Sequence, residues 1–151
     1  MTFNLQGHRG ARGLRPENTL PSFEIALDVG VTSVETDVHL SRDRHVIVCH
    51  DPILPDRALV SQLALADLRR VIADSNPDAG QFPQQVAVPT PLATEFARAK
   101  SIQPFGLPTL DDLFEFVQCY SVSALKSSEQ RARAARQIGR ASCRERVCLY
   151  V

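Results

Sequence analysis

Residues 3–51 change hydrophobic period in a set order, and that order dictates the class of fold. Phe3–Arg9 reads as a short strand, and Gly7, Gly10 and Gly13 make the next stretch a loop that ends in the turn Pro16-Glu-Asn-Thr19. From Thr19 the apolar residues Leu20, Phe23, Ala26 and Leu27 recur at helical spacing, with Pro21 tolerated in the first turn and Gly30 as a natural stop. Val31–Leu40 is rich in β-branched residues, and alternation sets Val31, Ser33, Glu35, Asp37 and His39 on one face. A tight turn over Ser41–Arg44 leads into a second apolar strand, His45–His50, closed by Asp51-Pro52. Strand, helix, strand, strand is the opening of an α/β fold.

The 151 residues could bury roughly 68–70% of the unfolded chain's surface in one core. No stretch approaches the roughly 20 apolar residues that cross a bilayer, and the first residues have neither the basic nor the apolar part of an export signal. Cys49, Cys119, Cys143 and Cys148 form no C-x-x-C pair, which suits free thiols in a reducing compartment, so the cytoplasm is expected. Net charge is zero, yet residues 126–151 carry seven Lys/Arg against two Glu, leaving ten against fifteen in residues 1–125. Such a tail raises the thought of a nucleic-acid arm.

Beyond Pro52 the signal weakens. Ser61 is expected to cap a short helix through about Ile72, and residues 73–107 hold Pro, Gly, Gln and Asp without sustained periodicity, so 53–107 reads as an insertion on a regular scaffold. Order returns at Pro108–Val117, where Thr109 and Asp112 resemble a capping box and Leu110, Leu113, Phe114 and Val117 form an apolar stripe. Residues 119–125 read as a weak strand and Ser127–Gln137 as a polar helix.

The residues with chemistry lie at strand ends. His8-Arg9 ends the first strand, Glu35 and Asp37 lie on the second, and His50-Asp51 ends the third, so parallel neighbours would gather them at one rim, where α/β barrels place active sites. Two carboxylates on one strand face repel unless something positive lies between them, and a hard divalent cation, calcium or magnesium, answers that; a solvated polar strand face, or an ion pair with Arg9, is the plainer alternative. His8 and His50 could serve as an acid–base pair, and the planar fork of Arg9 suits a phosphate. Together they suit hydrolysis of a phosphoryl ester. Gly7-x-x-Gly10-x-x-Gly13 is neither a dinucleotide fingerprint nor a phosphate loop of the Walker type. His39 reads as a rim group and His45 as a solvated turn residue.

His8-Arg-Gly10, Pro16-Glu-Asn-Thr19, Glu35-Thr-Asp-Val38, His50-Asp-Pro52 and Leu107-Pro-Thr-Leu110, in this order and spacing, resemble the glycerophosphodiester phosphodiesterase family. The resemblance implies a TIM (β/α)8 barrel whose first three strands carry the motifs, with an insertion after the third. It implies a phosphoric diester hydrolase releasing glycerol 3-phosphate and an alcohol from a small glycerophosphodiester, with calcium or magnesium. Carried over, His8 and His50 become the acid–base pair, Arg9 the phosphate ligand, Glu35 and Asp37 the metal carboxylates, and Glu17 and Asp51 supporting groups. The family's third metal carboxylate has no counterpart: Ser123-Ala-Leu-Lys126 is the nearest look-alike, with Ala124 where a Glu belongs.

A TIM barrel takes about 250 residues, so the chain is expected to form a partial barrel over 1–136, the front half of a parent enzyme and itself inactive. Gln137–Val147 resembles the in-frame translation of a short-read sequencing adapter, which would make 137–151 a non-native tail and removes the case for nucleic acid. Open barrel edges would favour self-association. A related phospholipase D-like phosphodiesterase acting on lysophospholipids, or a non-catalytic binding fragment, are the other readings.

Overall fold

The computed structural model describes residues 5–72, 80–135, 140–144 and 146–150; of residues 136–151 only the backbone pairing of the two strands is described. Strand β1 (Gln6–His8) leads through a loop into helix α1 (Leu20–Val29), followed by β2 (Ser33–Leu40) and β3 (Val46–Val48). A 3-10 turn at Val60–Gln62 precedes the single-turn helix α2 (Leu65–Leu68), and α3 (Pro91–Lys100), α4 (Leu110–Val122) and α5 (Ser128–Ala135) come next. Strands β4 (Arg140–Arg144) and β5 (Arg146–Tyr150) close the described chain.

Helix α1 forms where its spacing predicts. Thr19 caps it by accepting the Ser22 N–H, and Gly30, at φ 86°, ends it with bonds to the carbonyls of Ala26 and Leu27. Its buried residues Leu20, Phe23, Ala26 and Leu27 share one core with Val34, Val48, Leu113, Phe116 and Tyr120. Gly7 lets α1 approach β1: a Cβ there would lie 2.9 Å from the Gly10 carbonyl oxygen and 3.2 Å from the Ala26 Cβ. Helix α4 carries the capping box expected at Thr109 and Asp112.

Strand β1 pairs parallel with β2, setting His8 opposite Glu35. Strand β3 runs antiparallel to β2, Val38 opposite Val48, which corrects the expectation of three parallel strands. The turn over residues 41–45 is too short for a crossover, which a parallel connection requires. The far edge of β2 pairs antiparallel with β5, Val34 opposite Leu149, and β5 with β4.

Further expectations change. Ser61 caps no helix: it lies within the 3-10 turn, and α2 starts after Ala64 without a side-chain cap. Phe114 is exposed, and Phe116 enters the core instead. Residues 119–125 are not a strand: α4 continues to Val122 and a turn comes after it. Within 73–107, α3 buries Leu92, Ala93, Phe96 and Ala97 in the main core, with Phe96 edge-on to Phe116 at 5.4 Å between ring centroids. Its apolar face is half alanine, too small a contrast to register as periodicity. The segment from Pro52 to Leu68 forms a second cluster of Leu54, Val60 and Leu68 around Ile47, Cys49 and Leu107.

Candidate active site

The opening hairpin supplies most of the site. Val34 and Val38 of β2 face the helices, so strand alternation turns Glu35, Asp37 and His39 to the opposite side. The strand is buried from Ser33 to Thr36 and half-buried from Asp37 to His39, so the acidic pair sits where it emerges from the protein. Beside it, at the end of β1, the His8 Nε2 lies 3.7 Å from a Glu35 carboxylate oxygen, with the imidazole half exposed.

Arg9 is held through both its backbone and its side chain. Its backbone takes a left-handed φ of 52°, with its N–H donated to the Glu35 carbonyl at 2.8 Å and its own carbonyl accepting from the Asn18 N–H at 3.0 Å. Its Nη1 donates to both Glu17 oxygens at 3.0 and 2.9 Å, and its Nε lies 3.7 Å from an Asp37 oxygen. Glu17 also receives the Nε of Arg12 at 2.6 Å. One carboxylate therefore holds two guanidinium groups. Asn18, itself left-handed at φ 56°, ties this loop to β2 by accepting the Thr36 hydroxyl at 2.6 Å.

The β2–β3 hairpin returns the chain to the same place, with the Cys49 N–H on the Asp37 carbonyl at 3.1 Å. His50 comes next, its Nδ1 at 2.8 Å from an Asp51 oxygen. In the tautomer whose Nδ1–H donates to Asp51, Nε2 carries the lone pair a base needs. The His39 Nε2 donates to the His50 carbonyl at 2.9 Å, so His39 steadies the hairpin at the rim. His45 lies away from the site, 3.9 Å from Asp43.

Between His50 and the second cluster opens a cavity of about 310 Å³. Polar Glu17, Asn18, His50 and Asp51 line it together with apolar Ile53, Leu54, Val71 and Ile72. Cys49 borders it, but burial, then the carboxylates of Asp51 and Asp37, push its thiol up to about 12, which rules it out as a nucleophile near neutral pH.

Glu35 and Asp37 offer hard oxygen donors of the kind calcium and magnesium take. Among the described residues no group of three His, Cys, Asp or Glu side chains gathers to hold a metal ion. Magnesium is commonly held by one or two carboxylates, with water and substrate phosphate completing its shell, so the pair fits such an ion in kind. Lys126 of the look-alike segment is elsewhere, buried between Glu24 and Asp28 of α1 at 2.6 and 2.8 Å. Among the described residues no helix is long and apolar enough to cross a membrane.

Sequence reasoning found the residues that the structure brings to this rim: His8, Arg9, Glu17, Glu35, Asp37, His50 and Asp51. It missed Arg12 and Asn18. A second arginine three residues after Arg9 was a signal for Arg12; the role of Asn18 rests on a left-handed backbone that spacing does not reveal.

Residues 8–144 match the model of the Glycerophosphoryl diester phosphodiesterase family. A Mycobacterium tuberculosis protein named "Probable glycerophosphodiester phosphodiesterase 1" is 46% identical over 69 residues, 42% of this chain and 25% of that protein. An Oleispira antarctica phosphodiesterase, solved in complex with the product sn-glycerol-3-phosphate, superposes with a TM-score of 0.56 at 27% identity, covering 79% of this chain and 41% of its own. The glycerophosphodiester phosphodiesterase of Agrobacterium tumefaciens shares the fold at 23% identity and a TM-score of 0.56, over 78% of this chain and 43% of that one. The chain thus spans less than half the length of each of these relatives.

Proposed function

The chain belongs to the glycerophosphoryl diester phosphodiesterase family, and from that premise we propose that its rim is the front part of a site that hydrolyses glycerophosphodiesters to glycerol 3-phosphate and an alcohol. In this reading residues 1–136 contribute to a (β/α)8 barrel with 53–107 as an insertion, and 137–151, whose β5 here pairs with β2, are an addition to that barrel. Its free Cys49 and Cys119 agree with a reducing compartment, the cytoplasm.

The observation that carries the proposal is the convergence of a bidentate-held arginine, two carboxylates and an Asp-backed histidine at the end of β1 and the β2–β3 hairpin. Arg9 binds a non-bridging oxygen of the phosphodiester. Glu35 and Asp37 would hold a divalent cation, calcium or magnesium, which when bound neutralises charge developing on the phosphoryl oxygens. His8 and His50 divide the proton transfers. One takes a proton from the attacking water as its oxygen bonds to phosphorus; the other protonates the departing alkoxide as the old P–O bond breaks. The cavity beside His50 receives the alcohol. Strand β1 stands at one end of the described sheet order, and a strand end of this kind favours self-association.

The test is release of glycerol 3-phosphate from glycerophosphocholine with calcium or magnesium, by this chain and by a version completed with a relative's remaining barrel. Release by the completed version, lost on His50→Ala and on Glu35→Gln, supports the site. Release that survives both substitutions overturns it. Release by the unaltered chain would refute the expectation that it is inactive alone.

A further inference from the structure

The loop that presents Arg9 is braced by a segment far along the chain, within the region read as an insertion. Gln85, 7% exposed, donates its side-chain amide to the Arg12 carbonyl at 2.6 Å, and the Val86 N–H bonds to the Leu14 carbonyl at 3.2 Å. The Phe82 ring lies against the Arg12 guanidinium, 5.0 Å from centroid to carbon. Residues 82–86 therefore seat Arg12, which meets Glu17, which in turn holds Arg9.

This chain of contacts has an electrostatic consequence. Glu17 binds Arg9 through both oxygens, and Asp37 stands on the other side of the same guanidinium. Removing Arg12 makes the surroundings of Arg9 more negative by one charge, beside a site that must admit an anion. A cation on the shared carboxylate also draws its charge away from Arg9.

We propose that Arg12, seated on Phe82 and Gln85, is a positioning residue for phosphate recognition: it fixes Glu17 and keeps the Arg9 loop receptive to a phosphate ester. This rests on the reading of Arg9 as the phosphate ligand. The segment 82–86 thereby couples the insertion to substrate affinity.

The test is calorimetric titration of glycerol 3-phosphate, with magnesium, into the unaltered chain and into the variants Arg9→Ala, Arg12→Ala, Arg12→Lys and Phe82→Ala, each checked for its fold by circular dichroism. Arg9→Ala is expected to abolish binding. Arg12→Ala should weaken it on the order of tenfold, as one charge removed from a partly screened site would. Phe82→Ala should fall between, and Arg12→Lys, which restores the charge, should recover most of the affinity. A purely structural role for the guanidinium would not be rescued by lysine. If Arg12→Ala and Phe82→Ala bind normally while Arg9→Ala does not, the inference is overturned and the phosphate reading stands; should Arg12→Ala not fold, Phe82→Ala decides. Normal binding by Arg9→Ala, or none by the unaltered chain, removes the phosphate reading and the inference with it.

Discussion

Replacing Lys126 by methionine tests whether this buried lysine serves the fold or the chemistry. Its Nζ lies 2.6 Å from a Glu24 oxygen and 2.8 and 3.0 Å from the two Asp28 oxygens. Burial opposes the charge, but hydrogen bonds to the two carboxylates outweigh it and hold the lysine above its ordinary value. Glu24 is fully buried and also accepts from the Thr90 hydroxyl and from the Leu92 and Ala93 N–H groups at the start of α3. The network therefore ties α1 to α3 and to the turn after α4. Breaking a buried ion pair by deleting one partner typically costs about 3–5 kcal/mol. Here Glu24 keeps the α3 donors and Asp28 is 29% exposed, so the expected loss falls at or below the bottom of that range, about 2–3 kcal/mol. Urea unfolding followed by circular dichroism measures it, with an unchanged m-value showing that the unfolded state is comparable. Combining Lys126→Met with Glu24→Gln should cost less than the sum of the single losses, because neutralising Glu24 removes the uncompensated charge. A loss under about 1 kcal/mol, or strict additivity of the two substitutions, would refute the reasoning.

In the completed enzyme, His50→Ala should lower kcat by about 10²–10⁴-fold. Asp51→Asn should cost less, since Asp51 is 74% exposed and water can take its place on Nδ1; steady-state kinetics reads both, and an equal loss would contradict this ordering. Thiol labelling of the native chain, mapped by peptide mass spectrometry, should modify exposed Cys119 readily and buried Cys49 only on unfolding, because a thiol pushed up to about 12 holds almost no thiolate near neutral pH. Burial would raise the Asp112 carboxyl, but hydrogen bonds from the Thr109 hydroxyl and N–H and from Arg69 prevail and leave it below its ordinary value of 3.8. Its stabilising contribution is thus present above that value and lost as pH falls through the lower folded one. The urea midpoint of the parent should exceed that of Asp112→Asn at about pH 6, with the gap narrowing at about pH 3; a gap constant across that range would count against the capping role.

The polar residues of the site were legible because each sits beside a strong local signal. Glycines flank His8 and Arg9, a β-branched strand carries Glu35 and Asp37, and an apolar strand runs into His50-Asp51. The capping box at Thr109 and Asp112 and the glycine stop at Gly30 were legible for the same reason, since both act within one helical turn. The antiparallel return of β3 was open to a reader of its short turn, yet the strand pattern alone does not record direction.

What the amino-acid order determined by itself is therefore local: the helices with caps and apolar stripes, the strand faces, and the residue types that could meet a phosphate and a cation. Tertiary structure decided the rest, because those facts rest on groups far apart in the chain. Lys126 could be a missing site residue by its neighbours in sequence, but packing delivers it to Glu24, 102 residues away, where desolvation demands a counter-ion. Gln85 reaches the Arg12 carbonyl across 73 residues, and no periodicity in 73–107 announces it. Pairing between such distant groups is chosen by the burial of the core between them, a property of the folded whole that no short window of sequence contains.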